Sequence, residues 1–223
     1  MSIKKIIYYY IASQMMTYSK TCIIFDFDFT LTEKSLDETL SHNKISSSEL
    51  NVISDEKKNE VVNTIFGGYH RLYILKKFLR NAFNKHIDLH ISCHNHLKDI
   101  IFVLEEADLL EYFRTIHSIL DKTIQQNFLI VHHVYYPYSK DRFVFDTLHQ
   151  DYIHVIYIDD NHNYHNILKP LLDNCIEHAT YDIGRIQIDD VVKKYTFIKT
   201  LKHNGAGLYN IELRILNNLC KDF

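Results

Sequence analysis

Asp26 and Asp28 stand one residue apart at the end of the apolar run Ile23-Ile24-Phe25, and Thr30 follows two positions later. An ionised carboxylate at the edge of an apolar core is costly, by several kcal/mol, unless a cation, hydrogen-bond donors or a reaction compensates it. A capped turn, with Asp28 and Thr30 satisfying loop amides, would account for one such pair. The apolar run Ile153 to Ile158 ends in the same way, in Asp159-Asp160. In a parallel sheet both strand ends point to the same side, so up to four carboxylates converge there. Like charges about 4 Å apart repel by about 4 kcal/mol at an effective dielectric of 20. The pattern calls for a cation, and hard, all-oxygen ligands favour Mg²⁺.

The elements that would position these acids read as alternating strands and helices. Runs dense in β-branched and aromatic residues mark strands at Cys22 to Phe27, Ile87 to Ser92, Phe128 to Tyr135, Ile153 to Ile158 and Ile176 to Ile183,. Helical periodicity marks Tyr69 to Asn84, His96 to Glu105, Asp108 to His117, Lys140 to Gln150, Asn163 to Asn174 and Leu208 to Leu219. The alternation predicts an α/β fold, three-layer and Rossmann-like, with a mainly parallel central sheet between helices. Ligands of such sheets gather beyond the carboxyl ends of the strands. Glu33 to Gly68 is polar and without an obvious strand, and reads as a short insertion. Ser46 and Glu49 have capping-box spacing, which predicts a helix from about Glu49 to Phe66, stopped by Gly67-Gly68,.

The chain has 223 residues, 46% of them hydrophobic, which suits one domain over 1–223 with the insertion at about 33–68,. A net charge of -3 gives no global attraction to nucleic acid or to anionic membranes,. Five Gly and two Pro exclude a collagen-like or low-complexity chain,. Cys22, Cys93, Cys175 and Cys220 are far apart and form no CxxC pair, so reduced thiols and a cytoplasmic location are expected,. Lys4 and Lys5 precede a run to Met16 that three tyrosines and Gln14 interrupt, which argues against a signal peptide,. No stretch reaches the roughly 18 apolar residues of a membrane span.

The four acids and their surroundings resemble the haloacid dehalogenase-like (HAD) hydrolases. That family's first motif is hhhDxDx[TV], with h apolar, and Asp26, Asp28 and Thr30 match it. Its second motif, a Ser or Thr ending the next apolar strand, looks like Ser92 in Ile87-Asp88-Leu89-His90-Ile91-Ser92. The third, a Lys at the head of a helix, looks like Lys140, 19 residues before Asp159, and the fourth is Asp159-Asp160. The resemblance runs from about Thr21 to Leu219, with the motifs in order. Phe29 departs from it, standing where many relatives carry Gly.

The resemblance implies a Mg²⁺-dependent phosphomonoester phosphatase working through an aspartyl-phosphate. Asp26 would be the nucleophile and Asp28 the general acid and base, with Asp28 the less metal-bound of the two and able to ligate through its backbone carbonyl. Ser92 and Lys140 would bind the phosphoryl group. Asp159 would hold Mg²⁺ directly, and Asp160 would do so through water or orient Lys140. The second acid, Asp28, favours phosphoryl transfer over dehalogenation. Neither possible cap insertion is large, so the site reads as open, compatible with a phosphoprotein, another macromolecule or a small phosphomonoester.

Three other features weigh less. Asp189-Asp190 follows a less apolar stretch and reads as a solvated turn. His94, His96, His162 and His165 follow the strands of Ser92 and Asp159, and read as loop histidines around the mouth of the site rather than zinc ligands,. His90 is placed within its strand. Arg71, Lys76, Lys77, Arg80 and Lys85 form a basic helix whose ordinary reading is a solvated face. It leaves a nucleic-acid 3′-phosphatase as an alternative, beside a catalytically silent HAD-fold binding protein,.

Overall fold

The computed structural model describes residues 21–46, 48–50, 52–121, 123–126, 130–135, 139–177, 181–188, 191–200 and 216, with the backbone alone at 123–126, 130–135, 162 and 164. Met1 to Met16, Asp189-Asp190, Cys220 and all but Leu216 of the segment Leu208 to Leu219 lie outside them. Leu216 is helical and buried, as that expectation required of it.

Among the described residues one sheet of nine strands organises the chain. β1 (Thr21–Phe25) is buried throughout, as is β6 (His154–Asp159). The near-continuous apolar sequences of these strands form central positions because helices cover both of their faces. β2 (Asp88–Cys93) and β3 (Phe113–Ser118) extend the sheet on one side of β1, and β9 (Val191–Lys199) extends it beyond β6. These five run parallel in the order β3-β2-β1-β6-β9. Antiparallel pairs finish both edges: β4 (Thr123–Gln126) and β5 (Ile130–Tyr135) beyond β3, and β8 (Tyr181–Ile188) and β7 (Asp173–Glu177) beyond β9. The central sheet is thus mainly parallel, as expected.

Helices lie on both faces. Ile23, Phe25, Ile91 and Ile158 on one face pack against α2 (Asp55–Ile65), α3 (Tyr69–Asn84) and α4 (Leu97–Glu106), with α1 (Leu36–His42) joining the same core through Leu36 and Leu40. Cys22, Ile24, Val155 and Tyr157 on the other face pack against α5 (Lys140–Leu148) and, through Leu168, α6 (His162–Leu168). No helix among the described residues is long and apolar enough to cross a membrane.

Several expected elements are different in the structure. The helix expected over 49–66 is α2, which starts six residues late, and α1 lies before it. Ser46 and Glu49 do bond, through Ser46 N–H to Glu49 Oε2 at 2.9 Å, but they close a turn. The helix starts at Ser54, whose hydroxyl accepts from Lys57 N–H, with Asp55 and Glu56 in its first turn,. Gly67 and Gly68 separate α2 from α3 at φ +73° and +98°, and a Cβ on Gly67 would meet Glu33 Oε2 at 1.8 Å,. The expected helix Asp108 to His117 holds one short helical turn, Leu110–Tyr112, followed by β3. Asp108 breaks the chain direction at φ 50°. The strand expected over 128–135 is β5, preceded by β4. The helix expected over 163–174 ends at Leu168, and β7 follows it. The run Ile176 to Ile183 spans parts of β7 and β8. β9 had no counterpart in the sequence reading.

Candidate active site

The strand order reverses at β1, where β2 lies on one side and β6 on the other. At such a switch point the two carboxyl ends open a crevice. Phe25 is in register with Ile158, and Asp26 N–H donates to Ile158 O at 2.9 Å, so the ladder runs one residue past β1 and sets Asp26 beside Asp159. Parallel strands in register send partner side chains to one face. Counting by twos from Ile24 and Tyr157 puts both acids on the face covered by α5,.

Lys140, the first residue of α5, reaches into this crevice. Its ammonium donates to Asp26 Oδ1 and, at 3.2 Å, to Asp159 Oδ2. Asp159 is fixed from three directions. Its Oδ2 also accepts from the Tyr157 hydroxyl, and its Oδ1 accepts from Asn161 N–H at 2.7 Å. Asp160 is partly exposed. One carboxylate oxygen from each of Asp26, Asp159 and Asp160 lies within 4.8 Å of the others.

Burial shifts the titration of these groups. Burial pushes the Asp26 pKa up to about 8. Lys140 opposes that rise, while the charges of Asp159 and Asp160 add to it. The Asp159 pKa is raised too, by burial first, against Lys140 and the donors from Tyr157 and Asn161. Burial would lower the Lys140 pKa, but Asp26 and Asp159 outweigh it and the net shift is upward. Three carboxylates thus lie around an ammonium that contacts two of them. The donor set, oxygen only, fits a hard divalent cation,.

Asp28 stands apart from the three. Its Oδ1 accepts from Leu36 N–H at 2.9 Å and its Oδ2 from Asn95 Nδ2 at 3.0 Å. Its carboxylate is turned toward α1 and the loop after β2, which leaves its backbone carbonyl as the metal ligand that the resemblance implied. Burial raises its pKa, although Asn95, Leu36 and Ser35 hydrogen bonds work against the rise. The chain between Asp26 and Asp28 turns through wide bonds, Leu31 N–H to Asp26 O and Thr32 N–H to Phe27 O. Within this turn Phe29 holds φ 57°, a left-handed conformation that costs a non-glycine residue about 1–2 kcal/mol,. Glycine would adopt that conformation without the cost. Arg71 pins the turn by donating to the carbonyls of Leu31 at 3.1 Å, Thr30 at 3.4 Å and Phe66 at 2.9 Å.

Ser92 is fully buried near the end of β2, one residue past the Phe25–Ile91 register pair, and so comes level with Asp26. Its Oγ lies 2.9 Å from His117 Nδ1. Nothing in the sequence marks Asn95 and His117, the partners of Asp28 and Ser92. His117 falls at the end of the expected helix Asp108 to His117, and an Asn in a loop carries no signal until its neighbours are known. Tyr157 is, in sequence, one more residue of an apolar strand.

The remaining candidates disperse. The basic helix is not a uniform solvated face: Arg71 is buried, Lys76 pairs with Asp108 at 2.9 Å, and Arg80 donates to Tyr112. His94 is exposed and His96 pairs with Asp121. His165 is not a loop histidine but a buried residue of α6, bonded to Asp182 at 2.8 Å and stacked on Phe197. His90 is within β2, as expected. The side chain of His162 lies outside the described set.

Comparison with known proteins gives a likeness of structure. No protein-family model matches the sequence, and no curated protein does. Among solved structures, the chain is similar to a haloacid dehalogenase-like family hydrolase, SP0104 from Streptococcus pneumoniae, at 14% identity and TM-score 0.35, over 65% of this chain and 77% of that one. It is also similar to the putative HAD-hydrolase YfnB from Bacillus subtilis, a structure bound to magnesium, at 16% identity and TM-score 0.32, over 63% and 80%. The likeness is to HAD-type hydrolases.

Proposed function

We propose that this chain is a HAD-like phosphatase that hydrolyses phosphomonoesters with Mg²⁺ through an aspartyl-phosphate on Asp26. One observation carries the reading: Asp26 and Asp159, 133 positions apart in sequence, meet at adjacent strand ends with Lys140 bonded to both. Carboxylates gathered at buried strand ends are costly for structure alone and are frequent where chemistry needs shifted pKa values.

Asp26, Asp159 and Asp160 would hold the ion. When bound, it supplies the positive charge that keeps Asp26 ionised and offsets the charge of the phosphoryl oxygens. Asp26 attacks phosphorus as the alkoxide or phenoxide leaves, and Asp28 gives that oxygen its proton. The raised Asp28 pKa suits this first duty. The resulting Asp28 carboxylate then takes a proton from the water that cleaves the aspartyl-phosphate. Lys140 orients Asp26 and offsets charge on the transferring group, and Ser92 donates a hydrogen bond to one phosphoryl oxygen. The substrate is a phosphorylated small molecule or macromolecule.

The test is hydrolysis of 4-nitrophenyl phosphate with and without Mg²⁺. Wild-type turnover is expected to require the ion, and Asp26→Asn is expected to show none above buffer. Turnover retained by Asp26→Asn contradicts the assigned nucleophile.

A further inference from the structure

Ser92 and His117 are register partners on neighbouring parallel strands, so their side chains leave the same face of the sheet,. Both are fully buried, with Ser92 Oγ 2.9 Å from His117 Nδ1. The imidazole is held flat against Phe143, ring centroids 4.8 Å and planes 15° apart. Phe143 lies three residues along α5 from Lys140. One helix therefore presents both the ammonium that touches Asp26 and the ring that clamps His117.

Proton counting constrains this pair. A serine hydroxyl has one proton, and a neutral imidazole has one on either Nδ1 or Nε2. If Ser92 donates to Nδ1, its hydroxyl offers only lone pairs to the crevice, which a phosphoryl oxygen would find repulsive. If Nδ1–H donates to Oγ, the hydroxyl keeps its own proton for the crevice. We propose that His117 is a positioning residue: as the Nδ1–H tautomer it donates to Ser92 and leaves the Ser92 proton aimed at a phosphoryl oxygen. This rests on the phosphatase reading, in which Ser92 touches that group. Burial, with the nearby charges of His94 and Lys140, holds the His117 pKa down at about 4, so the ring is neutral at neutral pH. His117 exchanges no proton with substrate and acts through Ser92 alone.

A double-mutant cycle on 4-nitrophenyl phosphate hydrolysis tests this. Ser92→Ala should lower kcat/KM about 100-fold, as loss of an oxyanion donor does. His117→Phe, which keeps the stack and removes the ring nitrogens, should cost about tenfold in the wild-type background and nothing further in Ser92→Ala. His117→Asn, whose amide nitrogen can stand where Nδ1 stood, should recover most of that loss. Equal losses in both backgrounds, or an Asn variant as impaired as Phe, overturn the proposal. In the wild-type protein, proton–nitrogen correlation spectra of the imidazole should show Nδ1 protonated, and an Nε2–H tautomer overturns the proposal whether or not any variant folds. Impairment by Ser92→Ala with none by His117→Phe rejects the role of His117 and spares the phosphatase reading. No turnover by the wild type, or full turnover by Asp26→Asn, rejects both.

Discussion

At the amino end of β2, Asp88 meets one guanidinium, that of Arg114, and the Tyr152 hydroxyl, which donates to Asp88 at 2.8 Å. His90 Nε2 lies 3.2 Å from the same hydroxyl, whose proton is already committed, so the imidazole donates. Burial, then Arg114, hold its pKa down at about 3, leaving it neutral. At the carboxyl ends of β1 and β6, in contrast, Asp26, Asp159 and Asp160 crowd around Lys140. Both clusters sit in one sheet and are largely buried. The first balances one negative charge with one positive charge. The second, among the described residues, gathers three carboxylates near Lys140. On the proposed function, the difference separates a polar network that completes a fold from one that binds a cation and a substrate.

Substituting the cation of each cluster should separate them most. Lys140→Met leaves Asp26 and Asp159 buried without their ammonium and should cost about 3–5 kcal/mol in urea denaturation, with loss of turnover. Arg114→Met, at a pair nearer solvent, should cost about 2 kcal/mol and spare turnover. Equal effects would erase the distinction. Next, Asp28→Asn should lower kcat about 100-fold while leaving Mg²⁺ affinity by calorimetry unchanged, because the Asp28 carboxylate lies outside the three-acid group,.

The pH dependence of metal-free stability should show the burial of Asp26 directly. Asp26 has its folded pKa raised from 3.8 to about 8, so the folded state binds the extra proton and stability is lost as pH rises through that range,. His90, His117 and His154 have folded pKa values lowered from 6.5 to about 3, 4 and 3, so their contribution is lost as pH falls below 6.5. Above pH 6.5 the histidines add nothing further. Tm without metal should therefore fall between pH 6.5 and about 8, and Mg²⁺ should restore it at pH 8. A Tm insensitive to Mg²⁺ at pH 8 would contradict the assignment. The smallest effect is expected at the tyrosines. Tyr157→Phe frees Asp159 to rotate and should weaken Mg²⁺ binding about tenfold, whereas Tyr152→Phe should leave it unchanged.

What could be read from sequence follows the range of the forces involved. β1, β6 and α3 are legible because continuous apolarity or a 3.6-residue period stays within one segment. β3 was hidden because Leu109, Leu110, Phe113 and Ile116 fall at helical spacing by coincidence, while the strand is imposed by pairing with β2,. β9 was hidden by Lys193 and Lys194 in its sequence, yet Lys193 is buried and donates to the carbonyls of Leu148 and Gln150. The acids were legible because their cost at strand ends is local. The side chains that orient them, Asn95, His117 and Tyr157, owe their roles to register between distant strands and loops, which no local pattern encodes.

The most direct measurement is fluorine NMR of the protein with Mg²⁺ and beryllofluoride, a mimic of the phosphoryl group on an aspartate. A bound resonance that needs Mg²⁺ and disappears in Asp26→Asn is the expected result. No bound resonance, or one that survives in Asp26→Asn, would contradict the account.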